Sequence, residues 1–193
     1  MVKEFLFEQF YTGTTGVDTA YGVNWRATTF TIGTVGAKAS HYATSIGWRG
    51  YRTGSPGTVT FSLRKTDSLG KPTGPDLIFL QFNGNNLTTG SVDYVFEWFN
   101  FIPLLVNIKY ALAIRAPSGD AANLINWRQT SPGTYAGGEY LYSDDSGATW
   151  TAQTIDAYFK DFGIPIGDPL LLHGIPHMDN GLGLKRHPRS RIY

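Results

Sequence analysis

Thr58-Val59-Thr60-Phe61-Ser62-Leu63-Arg64 alternates polar and apolar residues without a break. A strict period of two puts Val59, Phe61 and Leu63 on one face of a β-strand and Thr58, Thr60, Ser62 and Arg64 on the other. The first set is expected to face a core and the second to face water. The same alternation returns at Tyr110, Leu112 and Ile114 against Ala111, Ala113 and Arg115. Segments 25–32, 43–51, 77–82, 93–99, 124–128, 139–142 and 157–162 are also rich in β-branched and aromatic residues and end at turn signals such as Gly54-Ser55-Pro56-Gly57. Residues 3–11 are expected to form an edge strand, and 12–22 a Gly/Thr-rich loop. Roughly ten short strands result, and no helical period persists for three turns. The pattern predicts an all-β fold, an antiparallel two-sheet β-sandwich of jelly-roll-like form.

Composition narrows the function classes. Hydrophobic residues make up 41% of the 193, enough for a buried core, while charged residues are only 16%. The formal net charge of +1 gives no global field for nucleic acid or an anionic membrane, so neither is expected as a partner. The absence of cysteine excludes disulfides, thiolate metal sites and a cysteine nucleophile. Glu4 and Glu8 interrupt the N-terminal apolar residues, so no signal peptide is expected. The strongest apolar run, residues 99–106, is broken by Pro103 and is far short of a membrane span.

Residues 135–150 predict a strand, a tight polar turn and a returning strand. Within them, Ser143-x-Asp145-x-Gly147-x-Thr149-Trp150 resembles an Asp box. Asp145 is suited to accept backbone N–H groups across the turn. Gly147 permits positive φ, and Trp150 is expected to be buried beneath the hairpin. The motif is present once, whereas a sialidase-type propeller would repeat it in each blade. Its expected role is therefore structural; a calcium ion at Asp144/Asp145 is the lesser reading.

No catalytic constellation stands out. His173-x-x-x-His177 has a zincin-like interval, but Gly174-Ile175-Pro176 between them precludes a regular helix and supplies no Glu. No metal and no cofactor is expected. The carboxylate pairs Asp93/Glu97 and Asp156/Asp161 could in principle serve glycoside hydrolysis, yet solvated strand-edge charges are the simpler reading. The chain is expected not to be an enzyme. Glycan binding needs exposed rings flanked by polar groups. Trp127, between Asn126 and Arg128, is the candidate platform, with Tyr135 nearby; Trp48, Trp98 and Trp150 are expected in the core.

After Gly163 the strand pattern stops. Of the 16 Lys/Arg and 15 Asp/Glu, four and two fall after residue 163, leaving 12 and 13 before it. Residues 1–163 are thus expected to form the sandwich. Residues 164–193 are expected to form an irregular, Pro/Gly-rich extension with a net +2 charge. That extension carries Leu170, Leu171, Leu172, Ile175, Leu182 and Leu184, with Arg186, Arg189 and Arg191 toward its end. Pure linkers lack such apolar residues. An arm that docks on a neighbouring subunit would bury them.

Several pieces recur in one order: Gly54-Ser55-Pro56-Gly57-Thr58-Val59, then Asp67 with Gly70-Lys71-Pro72-Thr73-Gly74, then Tyr110-Ala111-Leu112-Ala113-Ile114-Arg115-Ala116. Asn126-Trp127-Arg128, Tyr135-Ala136-Gly137-Gly138 and the 143–150 turn follow. Over residues 25–163 the chain resembles carbohydrate-binding-module-like β-sandwich domains of phage structural proteins and secreted multidomain proteins. The resemblance implies a binding or structural role and no catalytic residues. The expectation is a surface-exposed virion protein made without a signal peptide, a capsid-decoration (cement) or tail-associated protein. It would be homo-oligomeric and joined to other virion proteins by its arm. The alternative is a glycan-binding adhesion module for surface glycans.

Overall fold

The computed structural model describes residues 4–12 and 15–167. Thirteen strands occur among them: β1 Phe5–Phe10, β2 Gly16–Ala20, β3 Trp25–Thr31, β4 His41–Thr53, β5 Thr58–Thr66, β6 Pro72–Asn83, β7 Val92–Leu104, β8 Lys109–Arg115, β9 Leu124–Thr130, β10 Tyr140–Ser143, β11 Thr151–Gln153, β12 Asp156–Ala157 and β13 Phe159–Pro165. One 3-10 turn, Gly84–Asn86, is capped by the Asn83 side chain, which accepts the Asn85 N–H at 3.0 Å.

The strands form two antiparallel sheets. One runs β11-β10-β3-β8-β5-β6. The other runs β1-β13-β4-β9-β12, with β7 also paired to β4 and β2 to β9. The 13-residue β4 is the spine of this second sheet. It pairs with β13 from His41 to Trp48, with β7 from His41 to Gly50, and with β9 from Gly50 to Thr53. Gly50 sits where β9 takes over. A Cβ there would run into the Asn126 carbonyl and the Trp48 ring, so the close approach requires glycine.

The inner faces of the sheets interdigitate into one core. Val59, Phe61 and Leu63 are fully buried, as their alternation predicts, and so are Leu112 and Ile114. Aromatic rings lock the layers together across the interface. Trp48 meets Phe61 at 5.5 Å, Phe30 meets Phe159 at 5.1 Å, and Phe82 stacks on Phe96 at 4.8 Å. Each such side chain contributes roughly 1.5–3 kcal/mol by leaving water.

Four departures from the sequence reading bear on the strands and their faces. Residues 16–20 are strand β2 rather than loop: they pair with β9 from Gly16↔Gln129 to Ala20↔Ile125. A receptive sheet edge outweighs weak local propensity. Thr60 and Ser62 do not face water; both are buried on the outer side of the six-stranded sheet. Gln81 donates to Thr60 Oγ1 at 3.2 Å, and Arg64, Asp76 and Arg115 gather on that same side. In β1 a register shift between Leu6 and Glu8 breaks the alternation, so Phe7 and Glu8 are both buried. Finally, β13 continues past Gly163, with Ile164 paired to Tyr42 and Pro165 to His41. The sheet therefore extends into the segment assigned to the arm.

Candidate functional site

The polar turn after β10 is built by two side chains. Asp145 Oδ1 accepts the Ser143 hydroxyl at 2.7 Å and the Thr149 N–H at 2.9 Å, and Oδ2 accepts the Thr149 hydroxyl at 2.6 Å. Ser143 Oγ in turn accepts the Gly147 N–H at 2.8 Å. Bonds from Thr149 and Ser143 stabilise the charged carboxylate and hold Asp145 at a pKa of about 2. Gly147 has φ +84, and its α-carbon faces the rings of Trp25 and Trp150. Trp150 is half-buried, not fully buried. It packs on Ala27, Ala113 and Leu141, on the outside of the six-stranded sheet rather than in the central core.

The turn forms a shallow recess of about 190 Å³ lined by Tyr142, Ser143, Asp144, Asp145, Thr149 and Thr151. Asp144 does not join Asp145 there as a ligand pair: its Oδ1 lies 3.9 Å from Arg26, while both Asp145 oxygens are occupied by the turn. Among the described residues no cluster of three or more His, Asp or Glu side chains is placed to hold a metal ion. His173 and His177 lie outside the described residues.

The expected glycan platform is not at the surface. Trp127 is 1% exposed, and its Nε1 donates to the Tyr158 carbonyl at 2.7 Å. Its ring meets Tyr140 edge-on at 5.9 Å. Asn126 is buried too, with Nδ2 donating to Thr53 Oγ1 at 3.0 Å. Tyr135 packs against Phe10 and Phe159, and burial pushes its phenol pKa up. Arg128 is half-buried on the opposite face of β9 from Trp127. The strand period places Trp127 inward. Its polar flanks, read as signs of exposure, are a buried amide bonded to β4 and a half-buried arginine. Trp48 and Trp98 are buried, as expected.

The carboxylate pairs do not flank a cleft. Asp93 pairs bidentately with Arg49 and accepts the Tyr158 hydroxyl at 3.2 Å, whereas Glu97 is exposed on β7. Asp156 Oδ2 accepts the N–H groups of Thr134 and Tyr135 at 2.5 and 2.6 Å; burial raises its pKa despite them. Asp161 is fully buried with Oδ2 2.8 Å from His41 Nε2. Its pKa is raised by burial, which the histidine partly offsets.

Two polar devices escaped the sequence reading. Glu8, buried behind β1, accepts N–H groups from Gly33, Thr34 and Val35 at 3.0, 2.9 and 3.0 Å. On the outer side of the six-stranded sheet, Asp76 bridges Arg115 and Arg64, and Arg115 lies 5.0 Å over the Trp25 ring. Only the outward register of Arg115, opposite Thr60, signalled the second.

A roomier recess lies elsewhere among the described residues. The edge strands β6 and β7 of the two sheets lie side by side and enclose a groove of about 550 Å³, lined by Leu77, Phe79, Gln81, Phe99, Asn100 and Ile102 among others. The arm residues Leu170, Leu171, Leu172, Ile175, Leu182, Leu184, Arg186, Arg189 and Arg191 lie outside the described residues. In comparison with known proteins, no family model and no curated protein matches this chain.

Proposed function

We propose that the protein is a non-enzymatic structural component of a virion, a capsid-decoration or tail-associated protein. Its sandwich is displayed outward, and the segment after the last strand anchors it to neighbouring subunits. One observation carries this reading. Among the described residues the aromatic core is already formed by the end of β13 at Pro165, yet eight further leucines and isoleucines follow it in the sequence, among only four basic and two acidic residues. Apolar residues beyond a completed core call for a surface to cover them. The buried carboxylates Asp156 and Asp161 also serve as structural acceptors and ion-pair partners rather than facing a cleft. The glycan-binding alternative rested on Asn126, Trp127, Arg128 and Tyr135. Three of the four are buried, which favours the structural reading.

Truncation after Gly167 tests the reading. The truncated chain should keep its far-UV spectrum and lose particle binding and self-association, measured by co-sedimentation and analytical ultracentrifugation. Unchanged assembly would overturn the anchoring role.

A further inference from the structure

Five of the thirteen exposed large apolar side chains among the described residues lie on the edge strands β6 and β7. Val92, Val95, Phe99 and Phe101 are exposed on β7 and Phe79 on β6, and Phe79 and Phe99 line one recess where the two edge strands meet. Phe99 is 82% exposed. Among the described residues β7 pairs only with β4, so one long edge of this 13-residue strand is open. Natural sandwiches blunt such edges with short strands, lysines or cover. This edge has Pro103 near its end but no lysine, and of its two acids Asp93 is already paired with Arg49.

We infer that the β6–β7 flank is the docking site for the C-terminal arm, residues 168–193, of a second copy of this chain. The inference rests on the anchoring role proposed above and names its receiving surface. Three features suit the arm to this surface, and the anchoring role proposed above assigns the arm to a second copy. The first is where the arm begins. Pro165 pairs with His41, which pairs with Leu104 at the end of β7. The end of β13, where the chain leaves the sheet, therefore lies two strands from the Leu104 end of β7, about 10 Å across the sheet at the usual spacing, and the groove opens further along β7 at Phe99 to Ile102. Ser40 fixes this exit: its carbonyl accepts the Ile166 N–H at 3.1 Å, and its hydroxyl accepts the Val106 N–H at 3.0 Å. Exposed Ile166, Leu105 and Ile108 continue the apolar strip from the arm's root.

The second feature is length. Twenty-six residues (168–193) reach up to about 85 Å when extended. Two copies set flank to flank can exchange arms over far less. The third is chemistry. Leu170, Leu171, Leu172 and Ile175 suit a groove walled by Phe79, Phe99 and Ile102. The basic residues from Lys185 onward complement exposed Glu97 and a body that carries one more acid than base. Main-chain bonds to the open edge would supply affinity, and the groove would supply specificity, as in strand addition generally.

A chain without cysteine allows a direct test. Full-length chains carrying Phe99→Cys are mixed with full-length chains carrying Leu171→Cys and mildly oxidised. The expected product is a disulfide-linked dimer joining positions 99 and 171, identified by mass spectrometry. Its yield should be several-fold above a control pairing Leu171→Cys with Thr151→Cys, an exposed position on β11 at the far edge of the other sheet. Yield at the control level overturns the inference. So does a double variant that links 99 to 171 only within one chain, which would mean the arm covers its own body. Linkage of position 99 only to a different virion protein overturns it as well. If truncation after Gly167 abolishes assembly but no 99–171 link forms between copies, the arm still anchors and this surface is wrong. If truncation changes nothing, the anchoring role itself falls.

Discussion

Asp145 is largely solvent-exposed, yet it organises the turn that closes β10 through three hydrogen bonds. Its pKa is lowered from the ordinary 3.8 to about 2. A carboxylate with a depressed folded-state pKa adds stability above its unfolded pKa, and that stability disappears as pH falls through the folded value. The wild-type melting temperature should therefore drop between about pH 4 and pH 2, and Asp145→Asn should flatten that limb of a calorimetric pH series. A limb of unchanged slope would show that the turn does not depend on the charged form. Trp127 gives the converse test. It is a core side chain with a bonded indole N–H, so Trp127→Ala should cost about 3–5 kcal/mol, a melting-temperature loss on the order of 10 °C. A surface platform residue would show almost none.

Strand β5 was the easiest element to recognise, and half of its reading still failed. Its inward residues were legible because period two sorts side chains between faces. The fate of the other face was not, because burial there depends on neighbours brought in from β6 and β8. Ser62 is buried beside the cluster of Arg64, Asp76 and Arg115. Asp76 has a lowered pKa: burial alone would raise it, and hydrogen bonding and charge from Arg115 overcome that. Asp76→Leu would leave two guanidinium groups facing each other and should cost about 2 kcal/mol in urea denaturation. A loss below about 0.5 kcal/mol would place the cluster with ordinary surface ion pairs. Strands β2 and β12 were missed for the same reason as Ser62. They are five and two residues long and are held by their partner β9 rather than by their own pattern.

The two sheets share one aromatic core, so the body should unfold as a unit. Far-UV and near-UV signals should lose structure at the same temperature. Transitions that separate by several degrees would mean that one sheet persists alone. Truncation after Gly167 leaves every core residue among the described residues in place and should leave this transition within about 1 kcal/mol of wild type while abolishing association.

The architecture was already present in the alternation at Val59, Phe61 and Leu63 and at Tyr110, Leu112 and Ile114, because side-chain period is a local property of the backbone. The turn at Asp145 was legible too, since the bonds its carboxylate accepts fall within four residues. Exposure was not. Trp127 lies between an amide and a guanidinium in the chain, which suggested a surface, yet it faces Tyr140 from the other sheet. The apolar residues of β7 were read as one more strand, and only their place at the rim of the sandwich leaves Phe99 open beside Phe79. Which face meets water is settled by contacts between residues far apart in sequence, and no local pattern encodes those distances.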